Sequence, residues 1–200
     1  MIEKLKKSIK KTSLKGHLLI ATPHVADDVF GSSVIFVCSH DDEGALGLMI
    51  NRPLETVTFM ELMAQLDLKS APSFADKRLY FGGPMDVNRG FILHEPLMKT
   101  APKVKETTIT SDIALSSSID YFKLAQNAPE SISADKMIVA IGYAGWSEGQ
   151  LENEIKAGDW LSIPAESNLI FNTPAQNLWR QAYQNLNIEP YQVSERVSYA

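Results

Sequence analysis

The sequence is short of several things at once, and each shortage removes a class of function. It holds one cysteine, Cys38, so no intrachain disulfide can form and an intracellular setting is expected. Cys38 lies inside the run Val34-Ile35-Phe36-Val37-Cys38, where a thiol serves as a small buried hydrophobe. No uncharged apolar run approaches the roughly 18 residues that a membrane-spanning helix needs. Cationic excess is missing too: 19 Lys and Arg stand against 24 Asp and Glu, for a net charge of −5. No expected helix carries a row of lysines or arginines, so direct nucleic-acid binding is disfavoured. The start, MIEKLKKSIKKTS, holds five lysines with Ile2, Leu5 and Ile9 scattered among them. It therefore lacks the apolar core of a secretion signal. Residues 1–15 read as a flexible basic segment and 16–200 as one domain. Histidine is absent beyond His94, and there is no internal repeat.

What is present is an ordinary globular balance, 44% hydrophobic and 22% charged over 200 residues. The most legible stretch is Met137 to Trp160. Met137 to Ile141 is continuously apolar, the mark of a strand covered on both faces. Gly142 and Gly145 allow a sharp strand-to-helix reversal. Ser147 and Gln150 then stand at capping-box spacing, with Trp146 and Leu151 placed as a hydrophobic staple. Leu151 and Ile155 form the inward stripe, and Gly158 is the stop.

Elsewhere, 16–21 and 33–38 read as strands, and the short link His40 to Gly44 makes 33–38 and 45–50 a hairpin. Thr58 and Glu61 open a helix whose stripe is Phe59, Leu62, Met63 and Leu66. Ser70 to Lys77 is a loop. Leu79-Tyr80-Phe81 and Gly90 to His94 read as a second hairpin-like pair with Asp86 to Arg89 at its tip. A strand over 107–110, a helix capped by Ser118, strands over 160–163 and 169–171, and a last helix follow. That last helix opens at Thr173-Pro174 with Gln176 at the box position, buries Leu178, Ala182 and Leu186, and stops at Asn187. Hairpins interleaved with helices predict an α/β (α+β) fold, a mixed and largely antiparallel sheet flanked by helices in three-layer α/β/α packing.

Two motifs invite chemistry. Gly145-Trp146-Ser147-Glu148-Gly149 spells G-x-S-x-G between a strand and a helix, as a nucleophile elbow does. In that fold the histidine follows the serine, whereas His17, His24, His40 and His94 all precede Ser147. A serine capping its own helix is the simpler account. His40-Asp41-Asp42-Glu43 has neither calcium-loop nor zinc-helix spacing and reads as an acidic turn. No metal or cofactor is called for.

Six segments in order carry a resemblance over nearly the whole chain after residue 15: HLLIATP at 17–23, FGSSVIFVCSH at 30–40, GALGLMINRPL at 44–54, GGPM at 82–85, RGFILH at 89–94 and GYAGWSEGQLENEI at 142–155. Together they are similar to the YqgE/AlgH family of bacterial proteins. The resemblance implies a compact cytoplasmic α/β protein without an established biochemical activity, one branch of which carries a transcriptional-regulator label. In that family the position of Ser147 commonly holds another residue, and the ending Val197 to Ala200 departs from the family's.

Asn51, Arg52, Arg89, His94, Gln150 and Glu154 fall on the motif positions, and polar residues beside glycine turns suit a small pocket. With Gly82 and Gly83, whose backbone can approach a ligand closely, they form the ligand-binding candidates. The competing reading is that each bonds a loop or caps a strand end. The expected function is a non-enzymatic binding or regulatory protein with an unknown small molecule or protein as partner. One form of it places an anion on the amides of Glu148 and Gly149. The alternative is a serine hydrolase acting through Ser147.

Overall fold

The computed structural model describes residues 13–69, 72–97, 104–117 and 119–196. The basic segment up to residue 12, the cap expected at Ser118 and the tail from Val197 lie outside them.

Among the described residues are ten strands and six helices. The first half runs β1 (His17–Ala21), β2 (Val34–Asp41), β3 (Gly44–Met49), β4 (Pro53–Thr58), α1 (Phe59–Gln65), β5 (Arg78–Phe81) and β6 (Met85–His94). It continues with β7 (Glu106–Thr108), β8 (Ala114–Ser116), α2 (Ile119–Asn127), β9 (Met137–Ser147), α3 (Gln150–Ala157), β10 (Trp160–Pro164), α4 (Ser167–Asn172), α5 (Ala175–Asn185) and α6 (Pro190–Arg196). The sheet order is β10-β1-β2-β3-β9-β6-β8-β7, with β5 beside β9 and β4 beside β5. Of the described pairings, β5 with β9 is parallel and the others are antiparallel.

β9 is the strand on which the rest hangs. Its first four residues are buried because helices cover both sheet faces there, while β6 pairs along one edge and, from Val139, β5 along the other. From Ala144 on, β3 takes over the edge that β5 has left. The change of neighbour falls at Gly142, whose φ of +73° only glycine adopts freely. Gly142 therefore bends a strand that continues to Ser147; the reversal into a helix, expected here, comes later, at Glu148-Gly149. A Cβ on Gly82 would lie 2.2 Å from the Gly142 carbonyl oxygen, so the diglycine packs its backbone on this bend.

Alternation along the strands sorts the core into two faces. Leu18, Phe36, Phe91, Ile138 and Ala140 point to one, covered by Leu169 and Ile170 of α4 and Leu178 of α5. Ile92, Met137 and Val139 point to the other, under α1 and α2; further along that face Leu19, Val37 and Ala144 meet Leu151 of α3. Helices on both faces of a mixed, mostly antiparallel sheet give the expected three layers. The sheet also curls: Lys15 Nζ donates to the Thr108 carbonyl at 3.5 Å, and a Cβ on Gly16 would sit 2.8 Å from Thr110. The start of β1 thus meets the chain that follows β7.

The β2–β3 hairpin and the Thr58–Glu61 capping box match the sequence. Asn187, at φ +55°, ends α5 as expected. Further local readings change, one of them at α5, where Pro174 is the cap with no side-chain cap bond, so Gln176 closes no box. β5 and β6 are not a hairpin, because β9 lies between them; two glycines and a proline joined the runs, and nothing local says that a later strand intervenes. Residues 169–171 are helical, since Leu169 and Ile170 cap the sheet face, and a three-residue apolar run fits either period. The helix after Ser147 is capped by Gly149 without a side-chain cap bond. Half of the expected box survives, with Ser147 N–H donating to Gln150 Oε1 at 3.0 Å.

Candidate binding cleft

A cleft of about 530 Å³ opens between the loop from His24 to Phe30 and the junction of β9, α3 and β10. Trp146 is the penultimate residue of β9 and Trp160 the first of β10, so the two indoles flank the short α3 that joins those strands. Gln150 and Glu154, four apart on α3, share a helix face. Both indole N–H groups donate to Glu154 Oε2, each at 2.8 Å. The Gln150 amide donates to Glu154 Oε1 at 2.9 Å, while its own carbonyl oxygen receives Ser147 N–H. Backbone, amide, carboxylate and two indoles thus form one chain of hydrogen bonds. A carboxylate offers about four acceptor sites, so Oε1 keeps capacity for a further donor.

The opposite wall is fixed by the Asp27 turn. Asp27 Oδ1 accepts from Val29 N at 2.8 Å and Phe30 N at 2.6 Å. This sets the Phe30 ring against Trp160, edge to face with centroids 6.2 Å apart. Trp146 meets Trp160 in the same way, at 6.2 Å and 82°. Thr22 ties the loop's root to the end of α3, its hydroxyl donating to the Gly158 carbonyl at 2.7 Å and its N–H to the Asp159 carbonyl at 2.9 Å. The Asp159 carboxylate also lines the cleft. Among the described lining residues the charged groups are three carboxylates, with His24 as the one basic side chain. An aromatic floor with acidic edges receives a donor-bearing ligand better than an anion. The amides of Glu148 and Gly149 adjoin this acidic cleft.

The eight residues singled out in the sequence do not form one site. Gln150 and Glu154 lie in the cleft. Asn51 and Arg52 sit behind it: Asn51 accepts Val34 N–H at 2.8 Å and donates to the Ser32 carbonyl at 2.9 Å, and Arg52 donates to the Gly31 carbonyl. They hold the end of the loop that carries Phe30. Gly82 and Gly83 pack on β9, where added Cβ atoms would each fall 2.2 Å from backbone. Arg89 lies over the Phe91 ring, 4.9 Å from its centroid, in a different hollow. His94 is buried beyond the other end of β9. Its Nδ1 bonds the Glu95 carbonyl at 2.7 Å and its Nε2 the Ser116 hydroxyl at 2.9 Å. Burial lowers its pKa, outweighing the Glu95 carbonyl and the Glu106 carboxylate, which raise it.

The sequence reading missed Trp146 and Trp160 as cleft-lining side chains, taking them for a staple and a strand start. Both are also those things, since both belong to the α3-side core. The signal available was their placement, one indole on each side of a helix with Gln150 and Glu154 between. Asp27, Phe30 and Asp159 come from loops whose approach no local pattern reveals.

Ser147 is exposed and lines a shallow hollow with Asp41, Glu43 and Tyr143, among whose described residues there is no histidine. His40 is engaged elsewhere: its Nδ1 accepts Leu14 N–H at 2.9 Å, and its Nε2 faces Glu152 Oε1 at 3.2 Å. Among the described residues no helix is long and apolar enough to cross a membrane.

Fold and cleft define a three-layer α/β protein with a small ligand-sized cleft at a strand-helix-strand junction. The model of the AlgH-like family matches residues 18–191, and the chain belongs to this YqgE/AlgH family. It is 40% identical over 195 residues to a UPF0301 protein of Shewanella frigidimarina, covering 94% of this chain and 99% of that one. To a UPF0301 protein of Vibrio cholerae it is 39% identical over 193 residues, covering 94% and 100%. The solution structure of the AlgH protein from Pseudomonas aeruginosa superposes with a TM-score of 0.71 at 32% identity, over 92% of this chain and 95% of that one. A crystal structure of a Corynebacterium diphtheriae protein shares the fold at TM-score 0.66 and 21% identity, over 85% of each chain.

Proposed function

We propose that this chain is a non-enzymatic cytoplasmic binding or regulatory protein whose ligand, a small molecule or a partner's side chain, occupies the Trp146–Glu154–Trp160 cleft. The observation that carries this reading is the carboxylate held by two indole N–H groups at the cleft floor. Side chains fixed by packing and by supporting hydrogen bonds are what a preorganised recognition site requires. The ligand presents N–H or O–H donors to Glu154 and Asp159 and an apolar body to Phe30. Cytoplasmic placement rests on the single buried thiol. Regulation, on this reading, passes through the bound ligand or partner and not through duplex DNA, because the chain carries a net charge of −5.

Native mass spectrometry of freshly purified protein tests the proposal. A co-purifying molecule present on the wild type and lost from Glu154→Gln supports it. A molecule retained by that variant, or duplex binding with a steep salt dependence, overturns it. The hydrolase reading keeps an exposed Ser147 but has no histidine among the described residues lining its hollow, and fluorophosphonate labelling that Ser147→Ala abolishes would restore it.

A further inference from the structure

We propose a second binding site, at the open end of the curled sheet, for an organic anion with a small apolar body. A hollow of about 360 Å³ lies there, on the sheet face opposite the aromatic cleft, since Phe91 and Leu46 belong to the core that α4 and α5 cover and Trp146 to the core under α3. Mouths of curled or closed sheets are where ligand cavities form, because the interior side chains end there before the sheet does. The floor is apolar, made by Phe91, Ile109 and Leu115.

The rim carries the opposite chemistry to the first cleft. Arg89 and Lys105 are its charged groups, with the Thr107 and Ser117 hydroxyls beside them, and among the described lining residues there is no carboxylate. Alternation on β7 produces this segregation. Glu106, between Lys105 and Thr107, turns to the other face, where it accepts Leu97 N–H at 3.3 Å and approaches His94 Nδ1 to 3.9 Å. Asp41 and Glu43 belong to the neighbouring hollow that Ser147 lines.

Several other described cations are committed: Arg52 to the Gly31 carbonyl, Lys77 to the Met137 carbonyl, Lys136 to Asn172 and Lys123 to Asp120. Arg89 and Lys105 have no carboxylate partner among the described residues. Arg89 Cζ lies over the Phe91 ring, 4.9 Å from its centroid, a contact that uses the π-face and no N–H donor. Two unpaired cations and two hydroxyls above an apolar floor fit a carboxylate or phosphate ester attached to a short aliphatic or aromatic group. The charged head binds the rim and the body covers the floor.

The test uses the whole protein and four probes, hexanoate, phenyl phosphate, hexanol and hexylamine, followed by the Arg89 Nε–H and the Ile109 and Leu115 methyl resonances. Hexanoate or phenyl phosphate should shift all three, and whichever binds more tightly identifies the head group. Hexanol and hexylamine should bind at least tenfold more weakly. The double variant Arg89→Gln, Lys105→Gln, both positions being exposed, should lose roughly tenfold or more in anion affinity while its remaining spectrum stays folded. Equal binding of hexanol or hexylamine overturns the proposal. So does unchanged anion affinity in the double variant, or the absence of any shift with both anions at millimolar concentration.

Discussion

The two ends of β9 each hold one ionisable side chain among aromatic rings, and they have been built to opposite purposes. At the start, His94 pairs across to Met137, packs with its ring centroid 4.5 Å from that of Tyr121 at a 44° tilt and is 1% exposed. Both of its nitrogens are engaged, Nδ1 with the Glu95 carbonyl and Nε2 with the Ser116 hydroxyl, which matches the one donor and one acceptor of a neutral imidazole. At the far end, Glu154 takes three donated hydrogen bonds and still lines a cleft. Satisfaction without access makes a structural residue; satisfaction with access makes a presented one. The two look alike in sequence, as polar residues beside glycine-rich turns.

Their common support is the bend at Gly142. An alanine there would place Cβ 2.3 Å from the Gly83 carbonyl oxygen and 3.0 Å from that of Met85, at a φ of +73°. Overpacking against backbone and a left-handed conformation each cost about 1–3 kcal/mol, so Gly142→Ala should lose roughly 3 kcal/mol or more of stability by urea denaturation. Gly149→Ala is the control. It has nearly the same φ, +71°, with nothing within 4 Å of the added Cβ, and should lose only about 1 kcal/mol. Equal losses at the two positions would mean that the β9 bend supports neither end.

Glu154→Leu removes the acceptor shared by two indoles. Each indole N–H left without a partner costs about 1–3 kcal/mol when buried, less where cleft water reaches it. A loss of about 2–3 kcal/mol is expected, together with a change in tryptophan emission. Glu154→Gln, which keeps one acceptor oxygen, should lose about half as much. A negligible loss in Glu154→Leu would show that the clamp is not made in solution.

His94 sharpens the contrast through pH. Its folded pKa lies below its unfolded one because burial disfavours the cation. The unfolded chain therefore binds a proton that the folded one resists, and stability falls as pH drops from the unfolded value, about 6.5, towards the folded one. Above that window this contribution is absent. His94→Gln should flatten the decline in urea midpoint between pH 7.5 and 5.5, and an unchanged slope would assign the acid sensitivity to other groups.

Much of this frame could be read from the chain. The continuous apolar run of β9, the Thr58–Glu61 box and the Asn187 stop are local chemistry, and local chemistry is what sequence periodicity records. The parallel β5–β9 pairing was not legible, because it joins residues some 60 positions apart through an edge that Gly142 divides. The helical state of 169–171 was equally hidden, since tertiary coverage of the sheet face decided it. In the cleft, Gln150 and Glu154 could be found from their spacing on one helix. Phe30, Asp27 and Asp159 could not, because loops carry them into place and hydrogen bonds such as Thr22 to Gly158 fix those loops.

Ser147 offers the smallest effect and a direct contrast with Glu154, seven residues away. Its N–H is held by Gln150, but its hydroxyl accepts no helix amide and the helix cap is Gly149. Ser147→Ala therefore removes an exposed oxygen that stabilises nothing in the fold, and the urea midpoint should move by no more than about 0.5 kcal/mol equivalent. The full capping box expected from sequence would have cost about 1 kcal/mol on the same substitution. Because Gln150 bonds the Ser147 backbone, Gln150→Ala should cost more than Ser147→Ala and should also loosen Glu154, seen as a shift of the Trp146 and Trp160 indole N–H resonances. If the order of the two variants is reversed, the serine is the cap after all, and the Gln150 link between the turn and the cleft floor is incidental.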